Sequence, residues 1–143
     1  MDSLSEKLRI FIHTIGSQGS RRFVDSDMPI SLKQHHILLM IAQTDEVIQT
    51  GLAEMMQKDK SAVLREIDAL ERLGLVQRQN DATDRRKKRL LITQKGMDLC
   101  SQGKEIMGVT LKELTAGISA QEMENFTAIL DRIIKNGQTL SKK

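Results

Sequence analysis

Leu52 to Thr93 reads "LAEMMQKDKSAVLREIDALERLGLVQRQNDATDRRKKRLLIT", and the order of apolar and charged residues in it decides the fold. Its second half places five basic residues in a row, Arg85 to Arg89, directly before an apolar, strand-like run. A charged tail belongs at a terminus, and a solvated helix face spaces its charges out. This block lies inside the chain, between a helical pattern and a strand pattern. In the helical part Val63, Ile67 and Leu70 recur at i, i+4 and i+7, which makes one inward stripe. Lys60, Ala62, Leu64 and Arg65 are then left facing outward. Asp59 or Ser61 can cap the start, and Gly74 stands where glycine is favoured just past a helix end. Leu75 to Gln79 and Arg89 to Ile92 read as strands joined by the basic loop, with Leu90 and Ile92 on one face.

Working outward, Leu52 to Gln57 reads as a short helix and "QTDEVIQTG" before it as a loop or turn. Ser31 followed by Gln34 is a capping-box pattern, which predicts a helix from Leu32 to about Ala42. The segment from Ser3 to about Val24 carries Leu4, Leu8, Phe11, Ile12 and Ile15 at helical spacing. On the other side, Thr93 can cap a long helix reaching about Leu114, although Gly96, Gly103 and Gly108 weaken its continuity. Ser119 with Glu122 is a second capping box. It opens a last helix to about Lys135, with Met123, Phe126, Ile129, Leu130, Ile133 and Ile134 apolar. No repeat or linker divides the chain, so residues 1–143 are expected to form one domain.

The order helix, short helix, tight turn, helix, strand, basic loop, strand describes a winged helix-turn-helix. The fold class is mainly α with a small β-hairpin. In this arrangement the second helix of the motif fits the major groove of B-DNA. A hairpin tip rich in Arg and Lys delivers cations to the backbone or to the neighbouring minor groove. The charge distribution agrees. Eleven basic against six acidic residues between Lys58 and Lys95 give that segment +5, which leaves −2 for the rest of a chain whose formal charge is +3. A localised basic face of this kind suits a polyanion.

The remaining composition narrows the class. Hydrophobic residues make up 39%, with three Phe, no Trp and no Tyr, so Leu, Ile, Met and Val must supply the core. A helical dimer would bury more of them than a monomer. A single cysteine, Cys100, excludes an intrachain disulfide framework and fits a reducing cytoplasm. The start, "MDSLSEKLRIF", lacks a signal-peptide layout, and "ILLMIA" is far too short for a membrane span. A soluble, cytoplasmic protein with no membrane partner is expected. No phosphate-cradling glycine loop, nucleophile elbow or His-Glu-x-x-His spacing occurs, so an enzyme is not expected, nor a catalytic residue or cofactor.

The same stretch resembles the core signature of the MarR family of bacterial transcriptional regulators. The match comprises Leu52-Ala53, the turn Lys58-Asp59-Lys60-Ser61, Leu70-Glu71, Gly74-Leu75-Val76, Arg78, Asp84-x-Arg86 and Ile92-Thr93-x-x-Gly96. "ISLKQHHILLMI" upstream is similar to the family's helix before the reader, so the detailed likeness runs from about Ile30 to Gly96. The resemblance implies a homodimer in which terminal helices of two chains interlock (about 3–24 and 94–136) around winged units (about 32–93). Those units face double-stranded DNA at a pseudo-palindromic operator, as a repressor or an activator, with repression the first expectation. With the winged pattern, DNA contact is expected from Lys60, Ser61, Ala62 and Arg65 on the helix and from Arg85, Arg86, Lys87 and Lys88 on the wing, and the resemblance adds two roles. Asp84 would pin the wing by pairing with a nearby Arg, and Arg86 would enter the minor groove. Two positions depart from the pattern. Ala82-Thr83 replaces the proline common in the wing, and Leu64 stands where a small polar residue is common, so Leu64 is assigned no base contact.

Each feature also has a plainer reading. Arg85 to Arg89 could be a solvated charged turn, and, as a strand, would point alternate members in opposite directions. Ser61 could serve only as a cap, Arg65 could pair with Asp68 at i,i+3, and Lys60 could be a plain surface lysine. His35 and His36 are adjacent and cannot share one i,i+4 metal face. With His13 and Cys100 they could still converge, as in metal-responsive relatives, but surface histidines and a small buried cysteine are the expectation, and no metal site is assigned. A winged-helix module for protein interaction is the rival to DNA binding. A small-molecule effector is a further partner that the resemblance admits, since relatives commonly take small aromatic ones, but no residue here marks its pocket.

Overall fold

In the computed structural model, residues 3–44, 47–56 and 59–142 are described. Asp45, Glu46, Gln57 and Lys58, on which parts of the loop, short-helix and turn expectations fall, lie outside them. The chain divides into two compact units, Met1–Thr110 and Leu111–Lys143.

In the first unit, α1 (Leu4–Asp25) begins where the Ser3 hydroxyl accepts the Glu6 amide. α2 (Leu32–Gln43) opens on the expected capping box, with Ser31 and Gln34 exchanging hydrogen bonds of 3.1 and 3.0 Å. The predicted loop that follows is in part a strand. β1 (Val47–Ile48) pairs antiparallel with the later hairpin, Val47 opposite Leu90 and Ile48 opposite Arg89. Two residues make no strand unaided; this one exists because the hairpin edge offers unpaired backbone groups. α3 (Gln49–Met55) therefore starts three residues before Leu52.

α4 (Lys60–Arg72) buries Val63, Ile67 and Leu70, the expected stripe. Asp59 takes the N-cap place without a side-chain cap bond. After Leu73 the chain turns through Gly74 at φ +74°, a left-handed conformation that would strain a side chain. β2 (Val76–Asn80) and β3 (Lys88–Ile92) form the hairpin, in register Val76–Ile92 through Asn80–Lys88, and the sheet order is β1-β3-β2.

The core of this unit joins Ile37, Leu38 and Ile41 of α2 to Leu52, Ile67, Leu70, Leu75, Val76 and Leu90. Each such side chain contributes roughly 1.5–3 kcal/mol by leaving water. It holds α4 and the hairpin on one scaffold.

α5 (Gln94–Leu114) follows without a break through all three of its expected weak points. At Gly103 the reason is packing, since a Cβ there would collide with the imidazole of His35. Its start is tied back to the end of α4. Thr93 donates its hydroxyl to the Gly74 carbonyl at 2.7 Å and its amide to the Leu75 carbonyl at 3.0 Å, while its Oγ1 accepts the Gly96 amide. Lys95 Nζ donates to the Leu73 carbonyl at 2.9 Å.

In the second unit, α6 (Ala120–Leu140) begins at the expected Ser119–Glu122 capping box, and those hydrogen bonds hold the Glu122 carboxyl below its usual range. It runs five residues past the expected Lys135, because nothing in "NGQTL" forces a stop. None of its residues is buried, and Ile129 and Ile133 are 52% and 54% exposed.

Candidate nucleic-acid interface

The first turn of α4 presents Lys60, Ser61 and Arg65 to solvent, with Ala62 and Leu64 half-buried. Arg65 folds back so that Nε donates to the Ser61 carbonyl at 3.3 Å. That contact lays the guanidinium stem along the helix and aims it from the same face as Ser61. Among the described residues Arg65 makes no ion pair with the Asp68 of the plainer reading, and Asp68 is engaged by another arginine.

Its partner is Arg78 on β2. Arg78 Nη2 lies 2.6 Å from Asp68 Oδ1, Nη1 donates to Glu71 Oε1 at 3.2 Å, and the Arg78 amide donates to Glu71 Oε2 at 3.2 Å. The Arg78 side chain is only 19% exposed, so these contacts are better shielded than ordinary surface pairs. They fasten the hairpin to the flank of α4. Sequence reasoning placed Arg78 in the motif but gave it no role.

The wing tip is a turn, not a strand. The Lys87 amide donates to the Asp84 carbonyl at 3.0 Å, which closes a four-residue β-turn with Arg85 and Arg86 at its corners. The Asp84 carboxylate accepts the Arg86 amide at 3.0 Å, an Asx-type bond. Asp84 thus positions the wing through a backbone amide rather than through the expected guanidinium. The alternation expected along Arg85–Arg89 applies only from Lys88 onward, where β3 begins. Arg85, Arg86, Lys87 and Lys88 are all exposed, and Arg89 is half-buried. Lys88 Nζ bonds the Oδ1 of Asn80, its partner across the hairpin.

Where the family pattern has proline, the Thr83 hydroxyl donates to Asp81 Oδ2 at 2.8 Å, and the Asp81 amide donates to the Lys87 carbonyl at 3.0 Å. The hydrogen bond from Thr83 is the chief reason that the Asp81 carboxyl is held below its usual range.

Residues 30–88 match the family model of the MarR family. The chain also superposes on solved structures of that family. A mutant MarR from E. coli matches at 21% identity and TM-score 0.85, covering 94% of this chain and 98% of the other. Residues 30–88 thus carry the MarR-family match, and over the rest of the chain the likeness is one of fold. A MarR transcriptional regulator from Methanosarcina mazei Go1 matches at 23% identity and TM-score 0.84, covering 96% and 97%. The structure of the S. aureus MepR-DNA complex matches at 25% identity and TM-score 0.75, covering 95% and 99%.

One histidine departs from expectation. His35 is 1% exposed, not at the surface, while His13 and His36 are exposed. Its Nε2 sits 3.1 Å from the Cys100 carbonyl, which can only accept, so Nε2 carries the proton and donates. Nδ1 is buried without a partner, and the ring meets Phe23 edge-on at 5.3 Å. Burial pushes its pKa below the ordinary value, against the Cys100 hydrogen bond and with help from His36 and Lys104. Gly103, which makes room for the ring, was the only sequence signal for this. Cys100 is buried, as expected, and burial pushes its thiol up. No group of three or more His, Cys, Asp or Glu among the described residues could hold a metal ion, and none of their helices could cross a membrane.

Proposed function

We propose that this chain is a regulator of transcription that binds double-stranded DNA as a homodimer and represses from a pseudo-palindromic operator. One observation carries the reading: the Arg78 bridge to Asp68 and Glu71 joins an exposed reading helix to an exposed cationic turn. Lys60, Ser61 and Arg65, with the half-buried Ala62 between them, would meet the major groove. Arg85, Arg86, Lys87 and Lys88 would meet the backbone and adjoining minor groove, with Arg86 leading. The S. aureus relative, solved as a DNA complex, supports the assignment. Homodimer formation is supported by the exposed apolar residues of α1 (Leu8, Phe11 and Ile12) and of α6 (Ile129, Ile133 and Ile134). A second copy would remove these from water. Release by a small-molecule effector needs only a ligand that prefers a conformer with its two wings at the wrong spacing. Residues 1–143 act in this reading as one domain of a cytoplasmic protein, with no catalysis.

Salt dependence tests it. If each half-site neutralises about four phosphates, log K against log salt should fall with a slope of roughly −7 for the dimer. A flat response, or no duplex binding at low salt, would instead assign the winged unit to protein interaction.

A further inference from the structure

We propose that Gln34 is a positioning residue for α4, acting through Glu66; the inference rests on the DNA-binding reading above. Glu66 follows Arg65 in the chain and lies at the edge of the apolar stripe, and both its oxygens are held by α2. Gln34 Nε2 donates to Oε2 at 3.0 Å, and Lys33 Nζ lies 3.5 Å from Oε1. The other end of the Gln34 amide is committed as well, since its Oε1 accepts the Ser31 amide at 3.0 Å. An amide fixed at its oxygen by a backbone donor has only its nitrogen left for Glu66. The capping box alone would accept Glu or Gln at this position. Only Gln offers a donor to a carboxylate on the facing helix.

The physical need is rotational. Val63, Ile67 and Leu70 set how deep α4 sits, but apolar contact is not directional. A hydrogen bond at the edge of the stripe is directional, and it resists rolling of α4 about its axis. Rolling would swing Ser61 and Arg65 across the groove while leaving the core buried.

The test uses the full chain and two duplexes, one selected by the wild-type protein from a random pool and one unselected duplex of equal length. Gln34→Glu keeps the cap but sets a carboxylate against Glu66. Its affinity ratio between the two duplexes is expected to fall roughly tenfold, the discrimination of one good base contact, with the unselected duplex bound as before. Glu66→Ala, which leaves the cap untouched, is expected to do the same. The exchange Gln34→Glu with Glu66→Gln restores a donor facing an acceptor and is expected to recover the ratio. A wild-type ratio in both single variants, equal loss on both duplexes, or no recovery in the exchange would overturn the proposal. A wild-type chain that enriches no duplex would end the DNA reading itself, a separate result.

Discussion

Arg78 Nη2 lies 2.6 Å from Asp68 Oδ1, so a strand residue of the hairpin is bound to the solvent-side flank of α4 ten positions upstream. Two elements already joined by the apolar core are thereby tied a second time, by a side chain at the surface. Arg78→Ala is expected to lower stability by about 1 kcal/mol, the upper end for surface pairs, since Arg78 is shielded while Asp68 and Glu71 stay about half exposed. It should nonetheless reduce preference for a selected duplex. Chemical denaturation and duplex titration of the same sample separate the two effects, and an unchanged preference would remove the bridge from the mechanism.

Arg86→Ala removes a cation from the corner of the wing turn without touching the hydrogen bonds that form it, because Asp84 bonds the backbone amide. The fold and the dimer should be unaltered while duplex affinity drops. The salt slope should shrink by roughly one if the side chain neutralises one phosphate. Full affinity in this variant would exclude the wing from DNA contact.

Gly103→Ala places a methyl group against the His35 ring in the buried junction of α2 and α5. Overpacking of this kind costs typically about 1–3 kcal/mol. Thermal melting should show the loss, and His35→Ala should relieve it in the double variant.

Because His35 has a lower pKa folded than unfolded, the unfolded chain binds more protons at mildly acid pH. The stabilising contribution is fully present above the ordinary value of 6.5 and is lost as pH falls from there through the lowered folded pKa. Urea midpoints measured on either side of pH 6.5 should therefore drop on the acid side, and less so in His35→Asn. A pH-independent midpoint in the wild type would contradict the burial.

Ile129→Asp or Ile133→Asp sets a charge in the exposed apolar face of α6. Sedimentation should show a shift from dimer toward monomer, with loss of the steep salt dependence. Dimers that persist in both variants would move the association surface off α6.

The elements legible from the sequence were those whose cause is local. The stripe of Val63, Ile67 and Leu70 announces a helix through its period, and Ser31–Gln34 and Ser119–Glu122 announce helix starts within four residues. What was missed has partners far along the chain. β1 depends on Leu90 and Arg89, more than forty residues away. The burial of His35 depends on Gly103 in α5, and the work of Arg78 depends on acids one element earlier. Asp84 was assigned to the wing from the motif, but its partner could not be read there, because a backbone amide leaves no trace in residue identity.

The hydrogen bonds that Thr93 and Lys95 send to the carbonyls of Leu73, Gly74 and Leu75 have a mechanical consequence. They tie the first turn of α5 to the chain leaving α4. A sideways displacement of that turn would have to break these bonds or carry the carboxy end of α4 with it.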